Sequence, residues 1–382
     1  MDKKSGWLGV LLVAVSTLFS LAAVEVGLRL FVNEPQKAYS CPAGQHPAYD
    51  RSGQCPTSQD RISMMRFSPD LMYEPTPDAA GAGWHNDSRG FRFTSGNGEA
   101  DNRPVFKIAV TGGSTAWGVG VADDQTLESI LHDELSRLCP KVNFQVWNVA
   151  VSAQTSGQER RRFETSVLPL DPDMHIAVSA FNDIYNAYAG LFPHQNRDYF
   201  EYGDRLGVKG PDSAVPQPPT VADYPLRLLH LIALGWYRLT VTDEVVHRAV
   251  DRRALASEAA VQSTMRNIDL LSRWAESYDY QFIYALQPSI YLTGKPLTAD
   301  EQVIADADEQ FGTYHREGYR LLKLALAQSA LPNIDLDQAI KDEASTLFID
   351  NVHFGDRGYR LMGSYLANYV RTVAASLVET CR

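Results

Sequence analysis

The sequence predicts an α/β fold built around one parallel sheet. Three apolar runs, "VFKIAV", "NFQVWNVAV" and "MHIAVSAF", have the length and β-branched content of buried strands. The segments between them place apolar residues at helical spacing with a polar face, as in "DQTLESILHDELSRL". A chain that alternates strand and helix in this way is expected to form a parallel sheet covered by helices.

The elements follow a regular order that is interrupted once. Five strands and five helices are expected: a strand at 105–113, a helix at 124–138, a strand at 143–151, a helix at 156–170, a strand at 174–181, a helix at about 258–278, a strand at 281–288, a helix near 301–329, a short strand at 333–337 and a final amphipathic helix. Glycines and prolines between 187 and 257 break the alternation, and we interpret this stretch as an insertion over the carboxyl edge of the sheet.

The N-terminus carries a targeting signal. Lys3 and Lys4 precede an uncharged, mostly apolar run from Trp7 to Val24. A membrane span needs roughly 17–25 residues, and the lysines are expected to stay on the cytoplasmic side. The alternative is a cleaved signal peptide, since "SLA" at 20–22 has small residues at cleavage-like spacing. We favour a retained transmembrane helix, which places the rest of the chain on the extracytoplasmic, periplasmic side.

Three regions follow from these observations. Residues 1–32 are predicted to be the membrane anchor, and residues 33–100, rich in Pro, Gly, Ser and Asn, a stalk and irregular lead-in. Residues 101–382 are predicted to form a single α/β domain with its insertion at about 187–257.

Charge and cysteine content narrow the partners. A net charge of −11 repels phosphate backbones, so nucleic acid is not expected, whereas a neutral substrate is compatible with this surface. The four cysteines form no Cys/His cluster of metal-ligand spacing, and neither a metal nor another cofactor is predicted. Of the three possible pairings, Cys41 with Cys55 and Cys139 with Cys381 is the one we expect in an oxidising compartment.

Ser114 follows the first strand in "VTGGSTAWG" and precedes the first predicted helix. This position places a hydroxyl at the carboxyl edge of the sheet, beside free N–H groups that favour negative charge. The G-x-S-x-G elbow of α/β-hydrolases is absent, because Ala116 occupies the second glycine position. No lysine follows the glycines, which disfavours a phosphate-binding loop. Taken alone, the motif is more typical of a structural turn.

Two further motifs supply partners for that hydroxyl. Asp350 and His353 in "FIDNVHFGDRGY" are three residues apart, so the carboxylate can orient the imidazole, although a helix cap is the plainer interpretation of the spacing alone. The second and third strands end in "NVAVSAQTSGQ" and "SAFNDIYNA" at the same sheet edge. The Ala153 N–H and the Asn182 amide are therefore candidate donors to an oxyanion.

Together the blocks "TGGSTAWG", "NVAVSAQTS", "AFND" and "DNVH" resemble, in order and spacing, the SGNH (GDSL-like) hydrolase superfamily. "NDSRGFR" resembles the lead-in of its membrane-anchored bacterial members. The resemblance implies a flavodoxin-like three-layer α/β/α sandwich and a serine esterase without a metal. It implies that Ser114 is the nucleophile, His353 the general base and then acid, and Asp350 the residue that orients it. The Ser114 N–H, Ala153 N–H and Asn182 would hold the oxyanion.

Two positions depart from the family pattern. Ala153 and Ala180 stand where the family usually has glycine. An alanine keeps the backbone donor at 153, but its methyl group could narrow the acyl pocket or tilt that donor.

Three functions fit this pattern. The first is an extracytoplasmic, membrane-anchored esterase that removes a small acyl group, such as acetyl, from a carbohydrate or another cell-envelope molecule. The second is an O-acyltransferase that uses the same site on an exported polysaccharide. The third is a non-catalytic member that binds glycan or acts as a scaffold. The joint presence of Ser114, Asn182, Asp350 and His353 favours an enzyme, because a binding module needs no nucleophile with a base.

Overall fold

The computed structural model describes residues 65–97, 102–188 and 243–374, with short additional stretches at 16–17, 20–27, 48, 229, 232–233, 236 and 381. Side chains of the long helix that begins at residue 243 are described from residue 257 onward. The chain divides into two compact units, one of residues 1–38 and 214–252, the other of residues 39–213 and 253–382. The second unit contains the sheet.

Two predicted regions lie largely outside the described residues. In the predicted span at 7–24, residues 16–17 and 20–24 are described, and they are helical. Among all described positions, no helix is both long and apolar enough to cross a membrane. Most of the predicted insertion, 189–228, is likewise outside the described part of the chain. The membrane anchor and the form of the insertion stay predictions.

The core of the larger unit is one five-stranded sheet. Its strands are β5 (Val105–Gly112), β6 (Asn143–Asn148), β7 (Met174–Ser179), β8 (Gln281–Leu286) and β9 (Asn333–Asp335), in the spatial order β6-β5-β7-β8-β9. All four pairings are parallel, which confirms the predicted sheet. In this order the connections after β5 and β7 leave in opposite directions, so a crevice opens at the carboxyl ends of these two strands.

Helices cover both faces of the sheet. They are α1 (Ser114–Trp117), α2 (Leu127–Leu138), α3 (Ser156–Arg162), α4 (Phe181–Tyr188), α5 (Asp243–Tyr278), α6 (Ala299–Asp306), α7 (Glu309–Gln328) and α8 (Asp356–Val373). Because strand side chains alternate between faces, Ile108 packs with Leu131 of α2 and Leu366 of α8 in one core. Ala109 packs with Leu271 of α5 in the other core. The protein therefore has the three layers that the alternation predicts.

The lead-in is more ordered than the sequence indicates. Four short strands, β1 (Met65–Ser68), β2 (Met72–Pro75), β3 (Ala80–Gly81) and β4 (Trp84–His85), form two antiparallel pairs. Strands of two to four residues are too short to show a period-2 pattern, so their composition resembles a loop. The prediction of an irregular segment is wrong for residues 65–85.

The helix predicted near 301–329 is two helices. The first, α6, ends at Asp306, and the Asp308 side chain then accepts a hydrogen bond from the Phe311 N–H at 2.9 Å. An aspartate that accepts from the third following amide is an N-cap, so it begins a new helix, α7.

A disulfide joins Cys139, directly after α2, to Cys381, which lies 242 residues away along the chain. This confirms one of the two predicted pairs. Cys41 and Cys55 are outside the described residues.

Candidate active site

Ser114 is the first residue of the four-residue helix α1, directly after β5. The turn into this helix is possible because Gly112 has no side chain: a β-carbon there would collide with the Val178 carbonyl oxygen and with Ala116. The backbone of Gly112 also has φ of 156°, a region that favours glycine. As the first helical residue, Ser114 has an N–H without an intrahelical acceptor.

The His353 ring joins Ser114 to Asp350. His353 Nε2 lies 2.6 Å from Ser114 Oγ, and His353 Nδ1 lies 2.6 Å from Asp350 Oδ2. Both members of the Asp350–His353 pair are buried. The three residues predicted as nucleophile, base and orienting acid are therefore in contact, across 239 positions of sequence between Ser114 and His353.

Asp350 is held by its own loop. Its Oδ1 accepts the Val352 N–H at 2.9 Å and the His353 N–H at 2.8 Å. Burial raises the pKa of the Asp350 carboxyl, but His353 and the two amides outweigh burial, so the pKa lies below its ordinary value. An ionised carboxylate accepts the proton on His353 Nδ1, which leaves Nε2 free to accept the Ser114 hydroxyl proton.

The Asn182 amide lies beside Gly113, the residue that precedes the serine. One of its Nδ2 hydrogens is donated to the Gln154 carbonyl oxygen at 2.8 Å. A β-carbon on Gly113 would collide with the same nitrogen and would lie 3.6 Å from that carbonyl. The segments around residues 113, 154 and 182 therefore meet at one point. A primary amide has two N–H groups, so Asn182 retains one donor for a ligand.

Ala153 and Ala180 both have positive φ. Ala153 is the third residue of a turn in which the Gln154 N–H donates to the Val151 carbonyl oxygen at 3.2 Å, and its φ is 64°. Ala180, between β7 and α4, has φ of 143°. Both values lie where glycine is favoured. The alanines thus adopt the glycine-type backbone that the resemblance leads us to expect, at a conformational cost.

Three residues that support the site, Thr115, Glu301 and Lys295, were not identified from the sequence. Thr115 Oγ1 donates to the Val352 carbonyl oxygen at 3.2 Å and accepts from Gln287 Nε2 at 3.4 Å, so it joins α1 to the histidine loop. Glu301 accepts hydrogen bonds from the backbone of that loop, at Leu347 (2.8 Å) and Phe348 (3.1 Å).

Lys295 stabilises the buried Glu301 carboxylate. Its Nζ lies 2.5 Å from Glu301 Oε2, and neither side chain is exposed. The pKa of Glu301 is lowered: burial would raise it, but Lys295 and three backbone amides outweigh burial. The T-x-x-E spacing from Thr298 to Glu301, typical of a capping box, was the available sequence signal.

No group of three or more His, Cys, Asp or Glu side chains is placed to hold a metal ion in the part of the chain that the structure describes. The groups that meet at the candidate site are a hydroxyl, an imidazole, a carboxylate and a side-chain amide. Such an arrangement can perform nucleophilic acyl transfer.

No protein-family model matches the sequence, and no curated protein matches it. Solved structures do match the fold. They include an acetylxylan esterase from Geobacillus stearothermophilus, with 12% identity, a TM-score of 0.39, and coverage of 71% of this chain and 95% of that chain. A GDSL-like lipase from Bacteroides thetaiotaomicron has 12% identity, a TM-score of 0.30, and coverage of 70% and 88%. The chain resembles hydrolases of the GDSL type. At this level of identity the likeness is one of fold.

Proposed function

We propose that this protein is a serine esterase that removes a small acyl group from a carbohydrate or another cell-envelope ester. The observation that carries the proposal is the continuous chain from Ser114 Oγ through His353 to Asp350, with 2.6 Å at each link. A structural role does not require a half-buried serine hydroxyl to point at an imidazole whose other nitrogen contacts a carboxylate.

The geometry supports the following mechanism. Ser114 Oγ attacks the ester carbonyl carbon while its proton moves to His353 Nε2, and Asp350 stabilises the resulting imidazolium. The negative carbonyl oxygen accepts hydrogen bonds from the Ser114 N–H, the Ala153 N–H and the free N–H of Asn182. Collapse breaks the bond to the alcohol, which takes the proton from His353. A water molecule then repeats the sequence on the acyl-serine and restores Ser114.

Helix α4 supports a sugar as the alcohol part of the substrate. It begins beside the Asn182 amide, and Tyr185 and Tyr188 follow on it, both half-buried. Tyr185 is three residues after Asn182, so the two side chains share one face of the helix. A partly exposed aromatic ring next to a polar centre provides the apolar face on which a pyranose ring can stack.

We further propose that the protein is anchored by residues 1–32 and acts on the extracytoplasmic side. The lysines at 3 and 4 ahead of an apolar run support this orientation. The Cys139–Cys381 disulfide supports an oxidising compartment, because such bonds persist there and are rare in the cytosol.

A labelling and turnover experiment tests the catalytic proposal. The full chain is incubated with an activated acetyl ester and with a serine-reactive fluorophosphonate. We expect turnover and one label on the wild type, and neither on Ser114→Ala. Ser166→Ala is the matched control, since the described partner of that half-exposed hydroxyl is the neighbouring Thr165 hydroxyl. A wild type that shows no turnover and no label would refute the enzyme and favour the scaffold.

The same assay with an added oligosaccharide separates hydrolysis from transfer. If acetate is the main product at high oligosaccharide concentration, the protein is an esterase. If the acetyl group appears on the sugar instead, the site belongs to an O-acyltransferase.

A further inference from the structure

Two buried serine–carboxylate pairs join helix α3 to the segment formed by the end of β7 and the first turn of α4. In the first pair, Ser156 Oγ donates to Asp183 Oδ1 at 2.6 Å, and the Ser156 N–H donates to Asp183 Oδ2 at 2.9 Å. In the second, Ser179 Oγ contacts Glu159 Oε1 at 2.6 Å. The pairs are reciprocal, because each segment supplies one serine and one carboxyl group. The two segments are therefore fixed to each other at two points.

These pairs flank the candidate oxyanion donors. Ser156 follows Ala153 by three residues, and Asp183 is the neighbour of Asn182. A third link, from Asn182 Nδ2 to the Gln154 carbonyl oxygen, lies between the same two segments. Any relative movement of the segments would change the separation of the Ala153 N–H and the Asn182 amide.

Stability alone does not explain the pairs. All four side chains are at most 3% exposed, and burial of a carboxyl group is costly. Burial raises the pKa of Glu159 to about 8 and also raises the pKa of Asp183. Apolar side chains of similar volume often stabilise a core as well as or better than buried ionisable pairs.

The loop between the pairs also carries backbone strain. Ala180, directly after Ser179, has φ of 143°, a conformation that costs of the order of 1–3 kcal/mol for a residue other than glycine. A strained loop relaxes unless its surroundings hold it. The Ser179–Glu159 contact holds the residue before Ala180, and the Ser156–Asp183 contacts hold the first turn of α4, three residues after it.

We infer that Asp183 and Glu159 are positioning residues that keep the oxyanion donors at the correct separation. The inference rests on the proposed esterase function. Oxyanion stabilisation depends on donors that are in place before the reaction, so a loosened pair lowers the rate of the chemical step rather than substrate binding. Neither carboxyl group has a described contact with Ser114 or His353.

A double-mutant cycle tests this inference through Asn182. Asp183→Asn places an amide NH2 opposite one of the two Ser156 donors, and we expect kcat on the acetyl ester to fall about 10- to 100-fold with KM within about twofold. Asn182→Ala removes the donor itself, with an expected loss of about 100- to 1,000-fold. If Asp183 acts through Asn182, adding Asp183→Asn to Asn182→Ala lowers kcat by less than about threefold.

Asp337 offers a matched control. It accepts the Thr293 hydroxyl at 2.6 Å and the Gly294 N–H at 2.8 Å, and it is 4% exposed. As at Asp183, one carboxylate oxygen accepts a hydroxyl and the other a backbone N–H, and Asp337 has no described contact with the oxyanion segments. Asp337→Asn is expected to lower the unfolding midpoint as Asp183→Asn does, yet to leave kcat within about twofold.

Hydrogen exchange gives a readout that is independent of catalysis. Peptides covering 151–158 and 179–186 should exchange faster in Asp183→Asn than in the wild type or in Asp337→Asn. Ser156→Ala is the second variant in case Asp183→Asn does not fold. Unchanged exchange, or losses in kcat that simply multiply in the double mutant, would overturn the inference. A wild type without turnover would overturn the proposed function, while the exchange data still decide the positioning role.

Discussion

The Arg92 guanidinium lies 4.1 Å from the centroid of the Trp117 ring and donates to the Trp117 carbonyl oxygen at 3.2 Å. It also donates to the carbonyl oxygens of Gly118 at 3.3 Å and Val121 at 2.9 Å. These carbonyls lie at the end of the helix that begins with Ser114 and in the turn that follows it. An arginine of the lead-in therefore satisfies the carboxyl end of the candidate nucleophile helix, and the "NDSRGFR" segment is part of the site's support.

Arg92→Ala is expected to destabilise the protein strongly. Arg92 is fully buried and its Nε lies 2.6 Å from Asp123 Oδ1, so the variant removes the arginine donor from three carbonyls and from a carboxylate that keeps only its contacts with His85 among the described residues. Loss of one partner from a buried pair costs roughly 3–5 kcal/mol. Urea unfolding measures the loss of unfolding free energy. The control is Arg89→Ala, because the Arg89 side chain is 45% exposed, and we expect it to change the unfolding free energy by less than about 1 kcal/mol. Equal effects of the two variants would show that the lead-in does not support α1.

Asp350→Asn is expected to lower kcat by about three to four orders of magnitude while the protein stays folded. The asparagine oxygen can still accept the Val352 and His353 amides, so the loop is retained. Its NH2 group, however, faces His353 Nδ1 as a donor. The ring proton then moves to Nε2, which can no longer accept the Ser114 proton. Turnover and circular dichroism measure the two effects, with the exposed Asp342→Asn as control. A loss below tenfold would mean that another group orients His353.

The buried Glu128 makes stability depend on pH. Burial raises its pKa to about 8, and Asn148 Nδ2 donates to its Oε2 at 2.8 Å. An unfolded glutamate has a pKa of about 4.3. Between these values the folded protein keeps a proton that the unfolded chain has released, so this group lowers stability as pH rises from about 4 to 8. Below about pH 4 the carboxyl group is protonated in both the folded and the unfolded protein, so its titration does not lower stability there.

Glu128→Gln removes that titration and isolates its effect. The wild-type unfolding free energy, measured by urea denaturation at several pH values, should fall by an amount on the order of a few kcal/mol across this window. In Glu128→Gln the fall in unfolding free energy with pH should be clearly shallower, because the glutamine amide stays uncharged across this pH range. Parallel curves for the two proteins would show that Glu128 is not the group responsible.

Much of the fold could be predicted because its signals are local. The strands that begin at Val105, Asn143 and Met174 are continuous apolar runs. The helices between them have apolar residues at clear helical spacing, and this alternation predicts a parallel sheet. The lead-in could not be predicted, since its strands are short and its partners are distant. Arg92, for example, contacts carbonyls 25 to 29 residues further along the chain.

The site was predictable in its reacting groups and not in its supports. Ser114, Asp350 and His353 lie in short sequence motifs that indicate their chemistry. The structure brings the three side chains into contact, while their catalytic roles stay predictions. Glu301 acts through backbone amides 46 and 47 residues away, so the local T-x-x-E pattern indicates a helix start but not this contact with the histidine loop. The reciprocal serine–carboxylate pairs likewise cannot be found from sequence, because they join α3 to the end of β7 and the first turn of α4.

Ala180 allows a direct test of the strain at the glycine-type positions. Ala180→Gly removes a buried methyl group, and burial of one such group is worth about 0.8 kcal/mol. It also increases the entropy of the unfolded chain, at a cost of about 0.5–1 kcal/mol. The relief of a conformation at φ of 143°, worth roughly 1–3 kcal/mol, offsets both losses.

Ala177 is the matched control for this substitution, because it lies on β7 three residues before Ala180, is 1% exposed and is not among the positive-φ residues. Ala177→Gly should therefore carry both losses without any relief of strain. Because, of the two, only Ala180 has a positive φ, we expect Ala180→Gly to be at least about 1 kcal/mol more stable than Ala177→Gly in urea unfolding. If the two variants are equally destabilised, Ala180 stores no strain. The serine–carboxylate pairs on either side of it would then have nothing to restrain at that residue, and only the spacing of the Ala153 and Asn182 donors would remain as their role.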